Sequence, residues 1–219
     1  MSRVSVTARD GAVLRGWWYQ PGSWNGNSVL VMHGVSDNRE SGVGVATLLL
    51  AHGYRVLTPD ARAQGESGGE LATYGLMEKQ DIGMWVAWLR SQQRSGCIHG
   101  LGYSMGAAHL IQANVDPSPF CDVVAESSFA TFREVGFDRV GQAVETGPWL
   151  GRTLLRPAVE AAFLSARLRY HVDLGDANPS RALQETTTPV LIVHSLSDEN
   201  IPVRHAYALA ASKPERVSL

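Results

Sequence analysis

The spacing of hydrophobic positions changes several times along the chain. Val4 and Val6 alternate with polar neighbours, Asp10-Gly11 supplies turn chemistry, and residues 13–19 run back, which predicts an antiparallel hairpin. Residues 28–32 are then a short unbroken apolar run, as expected of a strand covered on both faces. Residues 43–52 predict a helix stopped by Gly53, and residues 54–58 predict the next buried strand, ended by Pro59. Within 77–94, Ile82, Trp85, Val86 and Leu89 share one helical face. Residues 97–103 predict a strand and 105–114 a helix. Residues 122–125 and 189–194 predict two further strands. Residues 202–211 close as a helix, with Pro202 early, where a missing N–H costs little. Strands alternating with helices imply an α/β fold, a doubly wound and mostly parallel sheet with helices on both faces.

Between residues 129 and 170 the alternation lapses. This stretch holds Phe129, Phe132, Phe137, Trp149, Phe163 and Tyr170, with a helix predicted over 154–169. It reads as a short helical cap inserted over the edge of the sheet; a longer core helix pair is the alternative. No repeat or Pro/Ser/Gly-rich linker divides the chain, so residues 1–219 read as a single domain.

Composition removes whole classes of function. At 44% hydrophobic and 18% charged, the chain is too apolar for disorder. Its 19 Lys+Arg against 21 Asp+Glu lack the basic footprint of a nucleic-acid binder. No apolar run approaches the ~18 residues of a membrane span. The first ten residues lack the apolar core of a signal peptide. Cys97 and Cys121 lie in apolar runs and read as buried thiols of a reducing compartment, so a cytoplasmic location is expected. No His/Asp/Cys cluster has metal-ligand spacing, and no Gly-rich phosphate loop follows the first buried strand. Neither a metal nor a nucleotide cofactor is expected.

The strongest chemical signal is Gly102-Tyr103-Ser104-Met105-Gly106, a G-x-S-x-G pattern between a predicted strand and a predicted helix. A sharp turn there holds a serine in strained geometry with its Oγ above the sheet. Glycines flank it because a Cβ would collide with the neighbouring strand and helix. The helix N-terminus favours developing negative charge.

With this motif in place the chain resembles the α/β-hydrolase superfamily, over essentially its whole length. His33-Gly34-Val35 stands where that family carries an HG-x oxyanion loop, so the resemblance implies an oxyanion hole built from the Val35 and Met105 amides, with His33 and Gly34 in support. Asp60-Ala-Arg62-Ala-Gln-Gly65-Glu-Ser67 is similar to the family's D-x-R-x-x-G-x-S turn and reads as loop-stabilising charge pairing. Glu126 and Phe129 follow the strand after the elbow, near where substrate contacts arise. His194-Ser-Leu-Ser-Asp198-Glu-Asn-Ile-Pro202 is similar to the family's HG-x-x-D-x-x-V-P segment, with Ser195 in place of Gly and Ile201 in place of Val. That makes Asp198 the expected acid, whose task is to orient an imidazole. By these motifs the chain most resembles the small hydrolases with a short helical insertion, the serine-aminopeptidase-like and lysophospholipase-like esterases, including the BEM46-like group.

The family order is Ser, then acid, then His, and the His falls roughly 25–35 residues past the acid. That position lies beyond Leu219, so the triad histidine is expected outside these residues and the chain reads as C-terminally incomplete, short of a final strand, His loop and last helix. Among the seven histidines, His205 reads as a surface position on a helix, His33 as a brace for the oxyanion loop and His194 as a local hydrogen-bonding residue. His171 follows the insertion; His52, His99 and His109 fall at packing positions. The function so implied is a serine hydrolase acting on a small acyl substrate, an ester or thioester. An aminopeptidase-like amide hydrolase, with Glu126 anchoring an amine, and a non-catalytic ligand-binding relative are the alternatives.

Overall fold

In the computed structural model, which describes residues 1–92, 96–143 and 153–219, strands β1 (Ser2–Thr7) and β2 (Val13–Tyr19) pair antiparallel, Ser2 opposite Trp18 and Thr7 opposite Val13. The rest of the sheet is β3 (Ser28–Met32), β4 (Arg55–Pro59), β5 (Ile98–Tyr103), β6 (Asp122–Glu126), β7 (Val190–Val193) and β8 (Val217–Ser218). Its order is β1-β2-β4-β3-β5-β6-β7-β8, and it is parallel from β4 to β8. The chain turns back from β4 past β3 to β5. The crevice between the C-terminal ends of β3 and β5 is therefore the switch point where α/β sheets place their ligands.

Helices α1 (Val43–Ala51), α2 (Glu78–Gln92), α3 (Met105–Ala113), α4 (Phe132–Ala143), α5 (Arg156–Tyr170), α6 (Pro179–Glu185) and α7 (Arg204–Ser212) complete the described elements. All five residues of β3 are buried, and their alternation splits the core in two. Leu30 and Met32 pack with Trp85 of α2, Leu110 of α3 and Leu209 of α7, whereas Val29 and Val31 pack with Ala46 of α1 on the other face. An unbroken apolar strand is what two covered faces require.

The insertion has a small core of its own. Phe137 of α4 packs with Val159 and Phe163 of α5, apart from the sheet's main clusters. A second cluster, Phe129 and Val135 with Ala108 of α3 and Ile201, seats the cap against α3. Trp149 lies outside the described residues. The sequence pattern missed α4 as a helix because Gly136 and Gly141 interrupt it and no clean apolar stripe marks it.

The cysteines correct one expectation. Cys97 and Cys121 are joined in a disulfide with Cα atoms 5.6 Å apart, and Cys121 is exposed while Cys97 is half-buried. Each stands just before a strand, and the pairing of His99 with Asp122 across β5 and β6 brings them together. The reading of two buried thiols is overturned, and the argument for a reducing compartment lapses with it. No helix among the described residues is long and apolar enough to cross a membrane.

Candidate active site

Ser104 sits between β5 and α3 with φ 51° and ψ −114°, a left-handed backbone that costs a side-chain-bearing residue about 1–3 kcal/mol. Its surroundings hold it there. The Ser104 amide donates to the Glu126 carbonyl on β6 (2.8 Å), and its carbonyl accepts from the Ala108 amide (3.1 Å). A Cβ on Gly102 would lie 2.6 Å from the Ala107 nitrogen, and one on Gly106 would lie 2.5 Å from the His33 and Met32 carbonyl oxygens. Both glycines let strand, turn and helix close to backbone contact.

The same closeness brings the His33–Val35 loop to the serine: a Cβ on Gly34 would stand 3.6 Å from the Ser104 Cβ. The buried His33 ring spans two loops. Its Nε2 accepts from the Ala61 amide (2.9 Å), which leaves the proton on Nδ1 to be donated to the Gly34 carbonyl (2.7 Å). Met105 is the first residue of α3, so its amide has no acceptor within the helix. Neither the Met105 nor the Val35 amide donates to a protein group among the described residues. Both residues line a cavity of about 640 Å³ together with Ser104, Phe129, Phe132 and Arg139.

Asp198 lies in the loop after β7. Its Oδ1 accepts from the Asn200 and Ile201 amides, each at 2.9 Å, and the Ser127 hydroxyl and His194 add to these. Burial works to raise its pKa, but these partners outweigh it and hold the carboxyl below the ordinary range. Ser127 directly follows Glu126, whose carbonyl receives the Ser104 amide, so acid loop and elbow meet through the end of β6. Asn200 and Ile201 line the cavity, and Asp198 stands behind them.

None of the seven histidines hydrogen-bonds Ser104. His194 Nε2 donates to the Ile201 carbonyl (2.7 Å). His52 and His171 cap helix C-termini, and His99 faces Asp122. His205 corrects another expectation, for it is fully buried rather than on the surface. Its Nδ1 accepts from the Ala130 amide (3.1 Å) and its Nε2 donates to Asp138 of α4 (2.9 Å), so both ring nitrogens find their partners in the segment that follows β6. Arg204 also pairs with Asp138, and together these partners outweigh burial and keep the Asp138 carboxyl low.

Of the two expected substrate contacts, Phe129 lines the cavity, while Glu126 is exposed at the end of β6 and is not among the lining residues. The Asp60–Ser67 turn is a charge-paired brace. Asp60 accepts from the Arg39 amide (2.7 Å) and side chain, and Arg62 grips Asp81 at 2.6 and 2.7 Å. Sequence reasoning missed Tyr74 and Arg139 as lining residues. Tyr74 has φ 57° and stacks on Phe132 with ring centroids 3.8 Å apart; only the adjacent Gly75 marked its loop. Among the described residues no group of three or more His, Cys, Asp or Glu side chains is placed to hold a metal.

Known proteins are similar to this chain in sequence and in fold. The uncharacterized protein YqkD of Bacillus subtilis (strain 168) is 30% identical over 190 residues, which are 85% of this chain and 60% of that protein. An AB hydrolase superfamily protein of Gibberella zeae is 27% identical over 104 residues, 48% of this chain and 36% of that one. The chain thus spans less than two thirds of the length of either curated relative. The Pyrococcus furiosus esterase Pf2001 superposes with a TM-score of 0.76 at 25% identity, covering 100% of this chain and 78% of that one. Residues 14–218 match the alpha/beta hydrolase family, to which this chain belongs.

Proposed function

We propose that this protein is a serine hydrolase that cleaves carboxylic esters or thioesters through an acyl-enzyme. The observation that carries the reading is Ser104 at φ 51° lining one cavity with Val35 and Met105, whose amides have no protein acceptor among the described residues. Ser104 Oγ attacks the acyl carbon, and the two amides receive the charge that develops on the carbonyl oxygen. Asp198, held ionised, orients a histidine supplied from outside residues 1–219. That histidine takes the serine proton, gives it to the leaving group, and then activates water against the acyl-enzyme. His33 acts by position only, since both its ring nitrogens are engaged in fixing the oxyanion loop.

The cavity wall supports an apolar acyl or alcohol group, with Phe129, Phe132 and Ile201 among its residues. An amine anchor for peptides has less support, because the exposed Glu126 carboxylate is not among the residues facing the cavity. The test is labelling by a fluorophosphonate probe, on residues 1–219 and on a longer chain carrying the downstream histidine. Labelling of Ser104 in the longer chain, absent from Ser104→Ala, is the expected result. Loss of the base costs about 10⁶ in turnover, so the 219-residue chain should label and turn over weakly at best. A folded longer chain that leaves Ser104 unlabelled would make the protein a ligand-binding relative instead.

A further inference from the structure

The cavity above Ser104 adjoins a second, almost wholly apolar cleft of about 380 Å³ between α4 and α5, lined by Val140, Val159, Phe163 and Leu174. Phe132, Gly136 and Arg139 belong to both walls. Arg139 is the one charged residue lining either space among the described residues. Several arginines in and beside the cap have carboxylate partners: Arg133 and Arg156 meet Glu160, Arg167 meets Asp173, and Arg204 of α7 meets Asp138 and Glu134, while Arg169 lies over the Tyr170 ring away from both spaces. Arg139 reaches no carboxylate among the described residues. Its Nη1 donates instead to two neutral oxygens, Asn200 Oδ1 (2.7 Å) and Gln142 Oε1 (3.0 Å). Gln142 is itself tied to the Glu199 carbonyl (2.5 Å).

Two consequences follow. The guanidinium is held in place by neutral acceptors that do not cancel its charge. Its Nε and Nη2 edge has no protein acceptor among the described residues, and that edge is the fork that receives two oxygens of a carboxylate or phosphate. From these facts the geometry points to Arg139 as an anion-recognising, specificity-determining residue: the preferred substrate is an apolar ester carrying a carboxylate or phosphate, whose charge meets Arg139 while its acyl carbonyl meets Ser104. This rests on the hydrolase reading of the site and narrows its substrate class. The half-ester of an aliphatic dicarboxylic acid and a long-chain ester with a phosphate head share the required chemistry.

Binding to the Ser104→Ala chain separates this from hydrolysis itself, because no ligand is consumed. Calorimetric titration compares monomethyl suberate with dimethyl suberate, and octyl phosphate with octanol, near neutral pH. The acid should bind about tenfold or more tightly than its neutral counterpart in at least one pair, as a charge-assisted contact provides, and added salt should shrink the ratio. Which pair shows the larger ratio identifies the head group. Arg139→Gln should bring that ratio to near one, and Arg139→Lys should retain part of it, with melting curves confirming that each variant is folded. Equal affinity for charged and neutral partners, a ratio untouched by Arg139→Gln, or no binding of any of the four ligands would overturn the assignment. An equal loss for both partners in Arg139→Gln would also overturn it, by making Arg139 only a latch between α4 and the Asn200 loop. Failure of the hydrolase reading is read separately, by fluorophosphonate labelling of Ser104.

Discussion

Mild acid should destabilise this protein through a single buried imidazole. His109 lies on α3, the helix that follows Ser104; it is fully buried, and neither ring nitrogen has a hydrogen-bond partner among the described residues. Burial pushes its pKa from 6.5 down to about 4, against the attraction of the Glu78 carboxylate. An unfolded chain binds a proton at this histidine below about pH 6.5, whereas the native chain refuses it until near pH 4. Between those limits the unfolded state holds more protons, so stability present at neutral pH is lost as the pH falls. From about pH 7.5 to about pH 5 this amounts to about 2 kcal/mol at 1.36 kcal/mol per pH unit. For a chain of this length that is roughly 4–8 °C in melting temperature. Glu78 and Asp138 are both held below their ordinary values, so their contributions are lost only at lower pH, below about 4.5 and 3.8. Thermal unfolding of the parent and of His109→Leu, followed by circular dichroism across this range, is the assay. The apolar variant should lose the His109 part of the fall. Parallel curves for the two proteins would refute the reasoning.

The backbone contacts at the elbow and the disulfide yield two further outcomes. Gly106→Ala forces a Cβ to 2.5 Å from two carbonyl oxygens and should cost about 1–3 kcal/mol in denaturant unfolding. Gly34→Ala meets only ordinary contacts, the nearest at 3.6 Å, and should unfold within about 0.5 kcal/mol of the parent. Replacing Cys97 and Cys121 by serine opens a closure between residues 24 apart in sequence, and should lower stability by about 3 kcal/mol in the same measurement.

Much of the sheet was legible because its signals are local. The unbroken run Ser28–Met32 and the strand-turn-helix around Ser104 each announce themselves within a few residues. Two failures share a different cause. Nothing near Cys97 says that β6 will lie beside β5, and nothing near His205 says that α4 will supply Asp138 as its partner. Hydrophobic periodicity describes one element at a time, whereas a disulfide or a buried hydrogen-bonded pair is a property of two. A polar residue whose partner comes from a distant segment therefore reads as surface until packing is known.

The candidate site divides along the same line. The half around Ser104 is made of backbone: two amides, a strained turn, and glycines that permit close approach. Backbone geometry leaves strong sequence marks, because few residue types tolerate it. The cap is made of side chains on helices, where many sequences give an equivalent apolar wall. Arg139 shows the consequence. In sequence it is one charge on an interrupted helix; in the fold, Asn200 from the acid loop and Gln142 from its own helix fix it at the join of two cavities. Replacing the Asn200 side chain would leave the turn at Ser104 untouched, yet it would remove one of the two acceptors that hold the Arg139 guanidinium. Specificity on this scaffold can therefore change while Ser104 and its amides stay in place.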